Sequence, residues 1–92
     1  MNLGFEWDEA KARDNQRKHR VRFEDAKTVF NDPLLLTFPD EEHSNDEHRA
    51  ISIGLSAHHI LLLVVHTERK KDIRIISARK ATASERKIYE TL

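Results

Sequence analysis

Cysteine is absent from the chain, so neither a disulfide framework nor a thiolate zinc site can support its fold. That usage suits a reducing cytoplasm. Glycine occurs only at Gly4 and Gly54, which leaves no glycine-rich loop to cradle phosphates and argues against nucleotide-dependent phosphoryl transfer. No His-Glu-x-x-His, cysteine pair or tight carboxylate cluster stands at ligand spacing, so neither a metal nor another cofactor is expected. Net charge is lacking too: sixteen basic residues balance sixteen acidic ones, and total charge gives no hint of nucleic acid. The longest apolar run, residues 60–65, is far too short to span a bilayer. Residues 1–7 lack the basic-then-apolar layout of a signal peptide. The expectation is one soluble, cytoplasmic domain over residues 1–92.

The charge that is present is unevenly spread. Residues 40–47 hold five acids (Asp40, Glu41, Glu42, Asp46, Glu47) and no Lys or Arg. From His66 onward there are eight bases against four acids, an asymmetry that suggests a phosphate-attracting surface, although on charge alone an ordinary solvated surface of uneven charge is the commoner reading.

Hydrophobic periodicity sets the element order. Residues 3–7 read as a short strand, and Asp8 caps a thinly apolar helix over residues 9–19. That helix is expected to depend on packing by Trp7 and Val21. Phe23, Ala26, Val29 and Phe30 repeat as in an amphipathic helix, stopped by Asn31-Asp32-Pro33. Strands follow at residues 34–38, 49–55, 60–66 and 73–79, with the acidic stretch as a loop and residues 67–72 as a turn. Thr82 and Glu85 have capping-box spacing and open a last helix. The fold class is α+β, two N-terminal helices and a C-terminal helix against a twisted antiparallel sheet: a meander of about four strands plus the short first one.

Four segments carry polar residues that packing alone does not require. Lys11, Asn15 and Lys18 share a helix face, with His19 beside them. His66 ends the apolar strand, followed by Thr67, Glu68 and Arg69. Arg74 and Arg79 flank the last strand, and Glu85 and Tyr89 are neighbours on the last helix. Each also has an ordinary structural reading: a solvated helix face, a strand end, a core-edge tyrosine. Arg74 and Arg79 are five apart, so in a regular strand they point to opposite faces unless a bulge intervenes; Arg79 is favoured as the site arginine.

Residues 5–8 (Phe-Glu-Trp-Asp), Lys11, Asn15, Lys18-His19, Val21 and Phe23-Glu24 resemble the opening of BrnT-type toxins. Ile53-Gly54, Val65-His66-Thr67-Glu68-Arg69, residues 74–79 and Glu85-Arg86-Lys87-x-Tyr89 resemble the remainder, in order and spacing. The resemblance implies a RelE-like fold and a ribonuclease that arrests translation and growth. It also implies a BrnA-type ribbon-helix-helix antitoxin as partner, through which the pair would reach operator DNA. In the family a Gly commonly follows the Lys-His pair, where this chain has Arg20.

Metal-free RNA cleavage uses the substrate's own 2′-OH, and Arg is suited to the charge that builds on phosphate. Arg79 is assigned that task, with Arg69 or Arg74 as a second phosphate contact. His66 is the candidate acid or base, and Glu85 an alternative base or an orienter of Arg. Lys11, Lys18, His19 and Tyr89 are candidates for holding RNA, with Lys18 or His19 also able to supply the acid. Balanced charge points to free RNA rather than the ribosome. A non-catalytic binding module and a metal-dependent nuclease are the alternatives.

Overall fold

Every strand in the computed structural model, which describes residues 4–43 and 48–92, belongs to one five-stranded sheet. Its elements are β1 (Gly4–Glu6), β2 (Leu36–Pro39), β3 (Arg49–Leu55), β4 (Leu61–Arg69) and β5 (Asp72–Lys80), in spatial order β1-β5-β4-β3-β2. The helices are α1 (Glu9–His19), α2 (Phe23–Ala26) and α3 (Ala83–Thr91). The acidic loop's residues 44–47 lie outside the described residues, as does Leu3 of the expected first strand.

Three expectations need correction. The sheet is mixed rather than antiparallel, because β1 pairs with β5 in parallel, Phe5 opposite Ile73. A tight hairpin cannot join strands separated by two helices and a meander, so nothing forces β1 to run antiparallel. The second helix is one α-turn that tightens into a 3-10 turn over Lys27–Asn31. The expected turn at residues 67–72 is only Lys70-Lys71, since β4 runs on to Arg69 and pairs it with Asp72. Lys70 makes this reversal with φ 58°, the left-handed conformation tight hairpins need at their first turn residue.

Both faces of the central strands are covered, which explains why β4 does not alternate. On one face Leu62, Val64, Ile75 and Ala78 pack against Val21, Phe23, Ala26 and Val29, with Trp7 set edge-on to Phe23 at 5.8 Å. On the other, Ile53, Leu61 and Leu63 pack with Ile51, Leu55, Val65 and, from α3, Tyr89.

α1 has little apolar surface, as expected, and its one buried residue is polar. Asn15 is 6% exposed and lies against the outer edge of β5, where β1 has already ended. Its amide nitrogen donates to the carbonyls of Ala78 (2.8 Å) and Val21 (3.0 Å), and its amide oxygen accepts from the Ala78 N–H (3.0 Å). One side chain thus continues the ladder for a residue of β5 and fixes the exit of α1. The helix closes at Arg20, which takes a left-handed conformation (φ 59°, ψ 29°) and donates its N–H to Gln16.

Two stability changes follow. Asn15→Ala should lower unfolding free energy by about 2–4 kcal/mol, because it strands backbone groups of β5 without partners. Arg20→Gly should raise it by about 1 kcal/mol, since glycine enters the left-handed region without steric cost. Urea midpoints measure both; an Asn15→Ala midpoint equal to wild type would show that water serves the β5 edge equally well.

Candidate functional site

Arg79 projects from β5 opposite Leu63, onto the sheet face that α3 covers. The chain turns at once into α3, whose first turn is locked by reciprocal bonds: Glu85 N–H to the Thr82 hydroxyl and Thr82 N–H to the Glu85 carboxylate. The same carboxylate grips Arg79 in a two-pronged pair, Nη1 to Oε1 at 2.8 Å and Nη2 to Oε2 at 2.9 Å. Arg79 holds the Glu85 carboxyl at about 2, and the Thr82 amide adds to the effect. Glu85 in turn raises the Arg79 guanidinium above its ordinary value.

This pair forms one wall of a cleft of about 370 Å³ floored by Ile51, Leu63 and Val65, with His19, Ser77, Asp40 and Glu42 around it. The helix-end histidine and the strand-end arginine therefore line one cleft. Asp40 and Glu42 were read only as loop charge; nothing in their local sequence shows that the chain leaving β2 places them at this cleft.

A bulge decides where Arg74 points. Val65 pairs with Ser77 but His66 pairs with Ile75, leaving Ile76 as an extra residue in β5. The insertion cancels the odd spacing, so Arg74, opposite Thr67, lies on the same face as Arg79. The inference of opposite faces is thereby corrected. Their partners, Leu63 and Thr67, stand four positions apart on β4, about 13 Å along the strand. Arg74 and Arg69 both lie 3.9 Å from the Glu6 carboxylate, at the far end of the sheet. Lys11 and Lys18 are exposed on α1 and line a groove of about 220 Å³ beside Ile76 and Ser77. His19 and Ser77 line both this groove and the Arg79 cleft, which joins them. Asn15, on the same helix face, is structural.

His66 does not join this set. Its register places it on the opposite face, beside Ala50 and Ile75, with Phe30 edge-on at 4.9 Å. Burial pushes its imidazole below the ordinary histidine value despite Glu68, so it is neutral at pH 7. It lines a second cleft of about 720 Å³ with Thr37, Phe38, Pro39, His48 and Arg69 among others. Tyr89 also departs from expectation: its hydroxyl donates to Asp32 at 2.6 Å and its body packs against the sheet. That bond pushes the phenol up to about 12. Asp32 also accepts from the N–H groups of Leu34 and Leu55, tying α3 to β3 and the 3-10 turn. Tyr89 is an anchor of α3, and its hydroxyl is not free for RNA. Among the described residues no group of three or more His, Asp or Glu side chains is placed to hold a metal ion, and no helix is long and apolar enough to cross a membrane.

A family model described as the ribonuclease toxin BrnT of type II toxin-antitoxin systems matches residues 7–85. Among solved structures, the ribonuclease toxin BrnT of Brucella abortus superposes with a TM-score of 0.68 at 24% identity, over 88% of this chain and 99% of that one. At that identity the likeness speaks for the fold. Comparison with curated protein sequences gives no match.

The Arg79–Glu85 pair gives a pH signature. The unfolded chain protonates Glu85 near its ordinary value of 4.5, the folded chain only near 2. The pair's contribution to stability is therefore complete above about pH 4.5 and lost as pH falls towards 2. Wild type should melt above Glu85→Gln at neutral pH, with the gap closing between pH 4.5 and 2. A gap independent of pH would rule out the ionised pair as its source.

Proposed function

This chain belongs to the BrnT family, ribonuclease toxins of type II toxin-antitoxin systems, and from that premise we propose that it is a metal-independent endoribonuclease whose centre is the Arg79 cleft. The observation that carries the reading is the guanidinium held in two-pronged fashion by Glu85 beside His19, in a cleft reached from the basic face of α1.

The chemistry is transesterification. The 2′-oxygen attacks phosphorus and gives up its proton, the P–O5′ bond breaks, and the 5′-oxygen leaves with a proton, yielding a 2′,3′-cyclic phosphate and a 5′-hydroxyl. Negative charge grows on the non-bridging oxygens, where a fixed guanidinium stabilises it. Glu85 is poorly suited to act as base, because a carboxyl held at about 2 is a weak proton acceptor. Its role is to orient Arg79. Proton transfer falls to His19, at the cleft wall. Lys18 and Lys11 hold the RNA backbone along the α1 groove, and Arg74 holds it further along the sheet face. His66 is separated from this phosphate by the sheet.

In the cell this activity would arrest translation and growth, with free RNA as substrate. The partner would be a BrnA-type ribbon-helix-helix antitoxin, which masks the basic cleft and carries the complex to operator DNA. The alternative, a module that binds without cleaving, requires Arg79 to be only half of a structural ion pair.

The deciding assay is cleavage of a defined RNA in excess EDTA. Arg79→Ala should slow it on the order of 10²- to 10³-fold, the usual worth of one preorganised donor. Arg79→Lys should recover part of the rate. Arg74→Ala should cost less, being displaced along the strand. Wild-type cleavage by Arg79→Ala overturns the assignment; cleavage abolished by EDTA and restored by a divalent ion overturns metal independence. Binding of RNA without any cleavage favours the module.

A further inference from the structure

His66 is 6% exposed, yet only one of its ring nitrogens has a partner. Nε2 lies 2.7 Å from the Ser52 hydroxyl, and that hydroxyl lies 2.8 Å from the hydroxyl of Thr37. Nδ1 is buried with no hydrogen-bond partner among the described residues. Ser52 is fully buried, whereas Thr37 is exposed and lines the 720 Å³ cleft.

This arrangement fixes the direction of every proton in the chain. A buried N–H without an acceptor is rarer and costlier than a buried lone pair without a donor. The imidazole, neutral at pH 7, therefore carries its single proton on Nε2 and donates it to Ser52. Ser52 has one proton and one remaining neighbour, so it donates to Thr37. The Thr37 oxygen is then occupied as acceptor, and its own proton is left for the cleft. His66 and Ser52 turn an ambivalent hydroxyl into a committed donor.

A committed donor selects ligands with acceptor oxygens. Arg69 lines the same cleft and favours negative charge, His48 adds ring nitrogens that can hydrogen-bond, and Phe38 and Pro39 offer apolar surface to a flat group. Glu68 places one carboxylate among them, which disfavours a dense run of charge. A phosphodiester with its attached base has all of the matching parts. We propose that this cleft binds one phosphate of single-stranded RNA through the Thr37 hydroxyl, at a site separate from the Arg79 cleft. The proposal rests on the ribonuclease reading above. Val65 lines the Arg79 cleft and His66, the next residue, lines this one, so the two clefts lie on opposite sides of β4 and are independent sites.

The test uses a single-stranded oligoribonucleotide with 2′-O-methyl groups throughout, which cannot be cleaved by its own 2′-oxygen. Its binding is followed by affinity and by the ¹⁵N signals of the His66 ring. Binding should move those signals, and they should move equally in Arg79→Ala. Thr37→Val should weaken binding about 3- to 10-fold, the worth of one hydrogen bond, and Thr37→Ser should bind as wild type. Thr37 is on the surface, and melts of both variants check that the fold is kept. His66 signals that stay fixed at saturation, or a Thr37→Val affinity equal to wild type, overturn the proposal. Inorganic phosphate producing the same shift at the same affinity overturns the assignment to RNA. Wild-type cleavage of unmodified RNA, assayed in parallel, separates the readings: cleavage with unmoved His66 signals sinks this site alone, and no cleavage sinks the activity.

Discussion

β1 ends after three residues, and beyond Arg74 the outer edge of β5 has no strand beside it. Exposed edge amides invite pairing with other chains and leave a strand free to shift. The Asn15 carboxamide answers both problems, offering Ala78 a donor and an acceptor in the places a neighbouring strand would supply them. Its third bond, to the Val21 carbonyl, sets where the chain goes after α1. Lys18 and His19 are carried on the last turn of that helix. The position of a candidate proton donor relative to Arg79 therefore depends on an amide whose own side-chain bonds go to Ala78 and Val21.

The second constraint is the single extra residue in β5. Without Ile76, Arg74 and Arg79 would face opposite sides of the sheet, and the basic surface would be split. With it, guanidinium groups from both ends of β5 share one face, and Lys11 and Lys18 flank the point of insertion. α3 is then held over the same face by two polar clasps, Glu85 on Arg79 and Tyr89 on Asp32. Charged groups in both clasps are only partly exposed, where a two-pronged or multiply bonded carboxylate is worth more than a surface ion pair.

The local elements were largely legible in the sequence. Asp8 and the Thr82–Glu85 box cap the helices they were expected to cap, because capping is written within four residues. β3 follows its alternation, and β4 its uniform apolarity. What escaped were the features set by long-range register. A one-residue bulge has no composition of its own, so parity misplaced Arg74. The faces of His66 and Arg79 follow from the β3–β4 and β4–β5 registers, and motif proximity grouped two residues that the sheet separates. Tyr89 and Asn15 looked like ligand-facing polar groups because their partners, Asp32 and Ala78, lie 57 and 63 residues away.

Those separations bear on when during synthesis the molecule acquires its shape. β1 has no pairing partner, and Asn15 no strand edge to bond, until β5 has been made. Growing chains otherwise tend to fold from the N-terminus onward as they emerge. Here the N-terminal third waits, because loop closure over such distances must come before the contacts that stabilise it. A translating ribosome therefore carries this chain with its outer strand unpaired and the halves of its cleft apart until β5 emerges. The fold delays its own completion until β5 has been made, a built-in interval between the synthesis of α1 and the closing of the cleft.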